Sequence, residues 1–375
     1  MTATTDRRAA APRTPVPRAR RGLGVLGLVV ALVAGGVLLF HDPQPDPPPA
    51  AARVGVAAAW PHAQRADLPG NLPDGPVFTP GLFLDARVAV GTAPSPDGRS
   101  ARLLLRAADG ALRELRRRPL DDAPEFGTFA VAGDQLVWTE SSDRQKPQVW
   151  AADRRSGAPA RRLTADTGNA VFYGSEYDLV VADGRVHWAA AAPDDERVTE
   201  IRSVALTGGP VRVREETGTW ALTAWPWLTD GADQAGTRTL RNLVTNRDTE
   251  IGTSGAELTT CSPAWCRVMV MNGDGLARID VMHPDGSAWQ RVAGGTASAA
   301  ITDVAVLDRF EVLAESTPDS DLTGTQNLLV HDIRARRTVD VAAGVDGAFS
   351  RAGVLWWSTG DQDSIVWHTL DLRTV

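Results

Sequence analysis

Beyond residue 53 the apolar positions of the chain recur with period 2. Short runs of Val, Leu, Ile and Trp alternate with small or polar residues, and Gly, Asp and Pro interrupt them. That pattern predicts half-buried β-strands, and no window shows the 3.6-residue period of an amphipathic helix. Turn signals recur between the runs: Pro96-Asp97-Gly98, Asp109-Gly110, Gly133-Asp134, Asp183-Gly184, Gly273-Asp274-Gly275 and Asp285-Gly286. Such dipeptides supply the positive φ angles of tight hairpins.

The runs also repeat over a longer range. GDQLVWTE (133–140), DGRVHWAA (183–190) and AGVLWWST (352–359) share one outline and bring Trp138, Trp188 and Trp357 into register. The common register predicts core positions for the three indoles. A second strand type follows each: QVWAADRRSG (148–157), EIRSVALTGG (200–209), ARIDVMHPDG (277–286), NLLVHDIRAR (327–336) and IVWHTLDLRT (365–374). The unit is therefore four strands in roughly 40 to 50 residues, the repeat of a β-propeller blade. Segments 76–124, 125–168, 169–218, 219–256, 257–299, 300–344 and 345–375 give seven blades, with six or eight as alternatives. The last segment has room for three strands, and RVGVAAAW (53–60) is expected to add the fourth and close the ring. A pair of β-sandwiches explains the long-range repeat less well. The predicted class is all-β, a β-propeller over 53–375.

One segment breaks the pattern. Leu23 to Phe40 is eighteen apolar residues without a charge, about the shortest run that spans a bilayer as a helix. The leader 1–22 carries Arg7, Arg8, Arg13, Arg18, Arg20 and Arg21 against Asp6 alone. That imbalance favours a cytoplasmic N-terminus, with the bulk of the chain outside the cell membrane. A cleaved signal peptide requires a small-x-small site soon after the apolar run; His41, Asp42 and Pro43 follow instead. We therefore expect a single-pass, uncleaved signal anchor at 23–40. Five prolines within 41–52 predict a stiff spacer before the folded domain.

Composition narrows the chemistry. The net charge is −7 and Lys146 is the only lysine, so beyond the leader no basic excess suits nucleic acid. Cys261 and Cys266 are the only cysteines. In an oxidising compartment they are expected to form a structural disulfide, with two free thiols as the alternative. No G-x-S-x-G motif is present, and His41, His62, His187, His283, His331 and His368 show no ligand spacing. No catalytic residue, metal or cofactor is therefore assigned. Acidic clusters at 194–196, 319–321 and 361–363 read as solvated loops. Two loops are candidates for the ligand face. FYGSEYD (172–178) holds Tyr173, Glu176 and Tyr177, and WALTAWPW (220–227) holds Trp225 and Trp227. Aromatics beside a carboxylate suit a sugar or a peptide side chain, although wedge-shaped blades also need large aromatics simply as filling.

SPDG at 95–98, followed by Leu103 to Leu105, resembles the repeat motif of TolB-type, WD40-like propellers. HPDG at 283–286 is a degenerate echo. With its basic leader, single anchor and Ala/Arg-rich domain, the chain resembles the TolB-like membrane proteins of high-GC actinobacteria. That resemblance implies a propeller with a tendency to bind proteins, and it assigns no functional residue. The expected role is a binding or scaffold module for an envelope protein, peptide or glycan. An extracytoplasmic lyase or hydrolase with its site in the funnel is the rival.

Overall fold

The computed structural model describes residues 53–375 except 196, 232–235, 253–256, 274 and 362–363. The predicted leader, anchor and linker lie outside the described residues, as do Glu196, Asp274, Gln362 and Asp363. The domain 53–375 is a seven-bladed, all-β propeller. Among the described residues no helix is long and apolar enough to cross a membrane.

Each blade is an antiparallel sheet whose first strand lies innermost. The blades run from Thr79 to Pro119, Glu125 to Thr164, Asn169 to Thr217, Trp220 to Glu250, Glu257 to Gly294, and Ala297 to Val345. The seventh takes Ala348–Arg351, Val354–Thr359 and Val366–Asp371 from the C-terminus. Its outer strand is Gln64–Pro69, paired antiparallel with Val366–Asp371. The ring is thus closed by strands about 300 residues apart in sequence, leaving no open seam between first and last blade.

The closing strand differs from the expected one. Arg53 to Trp60 does not close blade 7. Val54–Gly55 adds a parallel edge to blade 6 at Val339 and Asp340. Val56–Ala59 is then one helical turn, because Val56, Ala59 and Trp60 follow i, i+3, i+4 spacing and bury together. Trp60 packs edge-on against Phe310, 5.7 Å between centroids. One boundary also moves: Ala297–Ala299 is the inner strand of blade 6, not the end of blade 5.

The shared register holds in space. Trp138, Trp188 and Trp357 each sit fourth in the second strand of their blade, and all three are buried. Side chains alternate across a strand, so each indole turns to the preceding blade. Trp138 packs with Leu82, Val90 and Leu103 of blade 1, and its neighbour Val137 packs with Val186 and Trp188 of blade 3. Trp357 joins Val312 and Val330 of blade 6. The five repeats of the second type are all third strands. The two PDG turns are not equivalent: Ser95 to Gly98 joins the second and third strands of blade 1, whereas His283 to Gly286 joins the third and fourth of blade 5.

Candidate functional site

The innermost strand of blade 3 is broken. Asn169–Ala170 and Val180–Ala182 pair with the same second strand, and residues 171–179 leave it between them. This excursion is self-bracing. Gly174 turns it at φ 81°, and the Asp178 carboxylate accepts the N–H groups of Tyr173 (3.0 Å) and Gly174 (2.7 Å). The Ser175 hydroxyl accepts the N–H of Tyr177 at 3.1 Å.

The excursion then bonds to blades far from it in sequence. The Ser175 hydroxyl donates to Asp303 Oδ1 at 2.5 Å, and the Glu176 N–H donates to Asp303 Oδ2 at 2.9 Å. Glu176 Oε2 accepts the Ala352 N–H at 2.8 Å. Arg351 donates to the Phe129 carbonyl at 2.8 Å and to the Ser175 carbonyl at 3.4 Å. Segment 171–179 is therefore a strap from blade 3 that ties to blades 6 and 7, and Arg351 carries the tie on to blade 2.

Asp303 is held by a second layer. Blade 6's inner strand ends at Ala299, and the chain bends through residues 300–305 before its second strand begins at Phe310. Arg267 donates to the Asp303 carbonyl (2.8 Å) and the Thr302 carbonyl (3.3 Å). Its Nε pairs with Glu311, whose other oxygen accepts the Ala305 N–H at 3.0 Å. Arg267 and Glu311 are both buried. A buried pair survives only when its remaining donors and acceptors are satisfied, and here the bent backbone supplies them.

Two cavities flank this bridge. The larger, about 740 Å³, is lined by Phe129, Ile301, Phe349, Arg351 and Trp356 among others. The smaller, about 240 Å³, is lined by Tyr173, Tyr177, Asp178, Leu222 and Leu258 among others. Thr260, Thr302 and Asp303 border both. Phe129 reaches the larger cavity across Gly81 of blade 1, where any side chain would collide with its ring.

Electrostatics follow the packing. Burial pushes the Glu176 carboxyl up, and the neighbouring Asp303 carboxylate adds to that shift. Burial also raises Asp178, to about 6, against the opposing pull of the Tyr173 and Gly174 N–H groups. Tyr177 is raised by burial and then by Glu176. Burial lowers Arg351, while Asp303, Glu176 and Asp178 oppose that change. The strap thus carries carboxyls that favour the protonated state more than exposed ones do. Both oxygens of Asp178 and of Asp303 are occupied by donors, so these groups serve first as fasteners.

The structure brings Tyr173, Glu176 and Tyr177 together on the strap. Trp225 lies elsewhere, over the His187 ring at 3.7 Å, donating to Asp183 at 3.2 Å. It meets Tyr177 only through a shared core cluster. Trp227 packs towards Leu240, Ile251 and Cys261. Cys261 and Cys266 form the predicted disulfide, across the first hairpin of blade 5. Among the described residues no group of three or more His, Cys, Asp or Glu is placed to hold a metal ion. Asp303, Arg351, Arg267 and Glu311 were not anticipated. A signal existed for two of them: Arg267 and Glu311 each stand second in the second strand of adjacent blades, at inward positions of apolar runs.

No family model matches the chain, and comparison with curated proteins finds no relative. Solved β-propeller structures are similar to it. TolB from Acinetobacter baumannii is 10% identical over 68% of this chain and 64% of that one, with a TM-score of 0.41. A prolyl endopeptidase is 12% identical over 96% of this chain and 57% of that one, at 0.45. An oligogalacturonate lyase in complex with manganese is 9% identical over 83% and 98%, at 0.48. The matches span less than two thirds of the length of the TolB and endopeptidase chains. The seven-bladed ring itself is read from the sheets of this chain.

Proposed function

We propose that the chain is a membrane-anchored binding module. Leu23 to Phe40 tethers it, residues 41–52 space it, and the propeller holds an envelope protein, peptide or glycan outside the membrane. The observation that carries this reading is the broad channel cavity beside a strap whose charged groups are already fastened to backbone and to one another. A concave wall that mixes apolar and aromatic side chains with polar groups held in fixed positions suits a ligand site. The uncharged run after an Arg-rich leader supports the tether, and a disulfide accords with an oxidising compartment.

The test places a photo-crosslinking amino acid at Ala300, on the cavity wall, in the full chain expressed in intact cells. Leu322, 88% exposed in the helical turn Ser320–Thr323 of blade 6, serves as the control position. A discrete adduct from position 300 and none from 322 is expected. Identical patterns from both positions refute a channel site.

A second reading, a lyase or hydrolase in the funnel, draws on the raised Asp178 carboxyl at the smaller cavity and the raised Glu176 carboxyl two residues before it on the strap. It requires one of them to leave its backbone partners during turnover. Cleavage of a peptide or glycan by the full chain, abolished by Glu176→Gln, would establish it.

A further inference from the structure

Resting on the binding reading, we propose that the larger cavity is a saccharide site, in which a neutral sugar ring stacks on Phe349. Phe349 belongs to the inner strand of blade 7 and is the cross-strand partner of Trp356. Their rings are nearly parallel, 21° apart with centroids at 5.7 Å. Trp356 is 3% exposed and leans on Phe83 at 5.5 Å. One face of Phe349 is therefore backed by a rigid stack. The residue is nonetheless 53% exposed, and it lines the cavity. A large aromatic held firmly with one face open offers a flat, electron-rich surface to weakly polarised C–H groups. The axial C–H face of a pyranose has that character.

The polar groups around it point the same way. Thr128, Thr260, Thr302 and Ser350 line the same cavity. Ser350 Oγ and Trp356 Nε1 are shielded from solvent and find no hydrogen-bond partner among the described residues. Unpaired buried polar atoms are unfavourable, so a ligand hydroxyl that reaches Ser350 Oγ would relieve that cost. The charged groups, by contrast, already direct their hydrogen bonds at the protein. Arg351 faces the Phe129 and Ser175 carbonyls, Arg267 is paired with Glu311, and Asp303 accepts from the strap. Among the described residues the donors of Arg351 and Arg267 and the acceptors of Asp303 are thus already directed at protein partners, whereas a neutral polyol can use hydroxyls and backbone alike. A volume of about 740 Å³ admits more than one sugar ring.

The test uses the full chain against immobilised neutral di- to tetrasaccharides of hexoses and N-acetylhexosamines. Uronate- and sulfate-bearing glycans and proline-rich peptides are run alongside. Retention of a subset of the neutral glycans is expected. Phe349→Ala should weaken the best of them at least ten-fold, Phe349→Tyr should keep affinity within about two-fold, and Ser350→Ala should weaken it a few-fold. The half-exposed position should leave the Tm of Phe349→Ala close to the parent's, which separates lost binding from lost fold. Retention of no neutral glycan overturns the saccharide site, as does retention unchanged by Phe349→Ala. Tighter binding of anionic glycans or proline-rich peptides does the same. An adduct from position 300 without glycan binding sinks the saccharide site and leaves the binding module standing. Absence of both removes the two together.

Discussion

Blades 2 and 3 share their second and third strands almost position for position and differ at the innermost one. In blade 2 the inner strand Glu125–Ala132 stays paired along its length, apart from an irregularity between Gly127 and Ala130. There Thr128, at φ 47°, and Phe129 step out to the larger cavity. In blade 3 the same step has grown to the nine-residue strap. The difference teaches where a propeller blade is free to vary. A second strand is paired on both edges and packed on both faces, as Trp138 and Trp188 show. An inner strand has one partner and looks onto a channel, so its backbone can leave the sheet if its polar groups find other partners.

The largest expected effect tests the shared part. Trp138→Ala and Trp188→Ala should each destabilise the full chain by about 3–5 kcal/mol in chemical denaturation, because each leaves a cavity between blades. Trp188 should be the costlier by about 1 kcal/mol, since its indole donates to the Thr167 carbonyl at 3.0 Å, whereas Trp138 Nε1 has no partner among the described residues. Equal losses would show that the bond from the indole to the Thr167 carbonyl adds nothing to the core of blade 3.

The next effect isolates the strap. Asp303→Ala removes acceptors for the Ser175 hydroxyl and the Glu176 N–H. A loss of about 1–3 kcal/mol is expected, with faster amide hydrogen exchange at 173–177 and no change at 129–132 of blade 2. Faster exchange in both segments would mean that the strap supports the whole channel.

The smallest effect is the pH response. A carboxyl whose folded pKa lies above its unfolded value holds its proton more tightly in the folded state. Asp178 rises from the model-peptide value of 3.8 to about 6, and Glu176 is raised too. The Asp178 contribution is full below pH 4 and is lost as pH climbs through about 6, and that of Glu176 runs in the same direction. Strap protection should therefore fall over that window, on the order of 1 kcal/mol because local opening relieves the burial. Asp178→Asn should flatten the response, while blade 2 amides stay level throughout. A strap that tightens with rising pH would contradict the assigned burial.

The repeat was legible because a strand packed on both faces needs an apolar or small residue at nearly every position. Trp138, Trp188 and Trp357 therefore announced both their strand and its register. Val56, Ala59 and Trp60 were misread as strand because one helical turn and a short alternating run look alike over so few residues. The Tyr173, Glu176 and Tyr177 loop was recognised as unusual, but its neighbours were not, since Asp303 and Arg351 lie 127 and 175 residues beyond Glu176 in the chain. The closing strand Gln64–Pro69 was missed for the same kind of reason: its partner is at the opposite end of the domain.

By itself the sequence determined the blade repeat, the wedge-filling tryptophans and the short disulfide loop. Each depends on neighbours within a single hairpin or on the period of burial along one strand. Only the tertiary structure decided which strand closes the ring, how the strap crosses to Asp303 and Arg351, and that Phe349 stands open against Trp356. Those features depend on which blades face one another across the axis, and ring closure sets that distance whatever the separation along the chain.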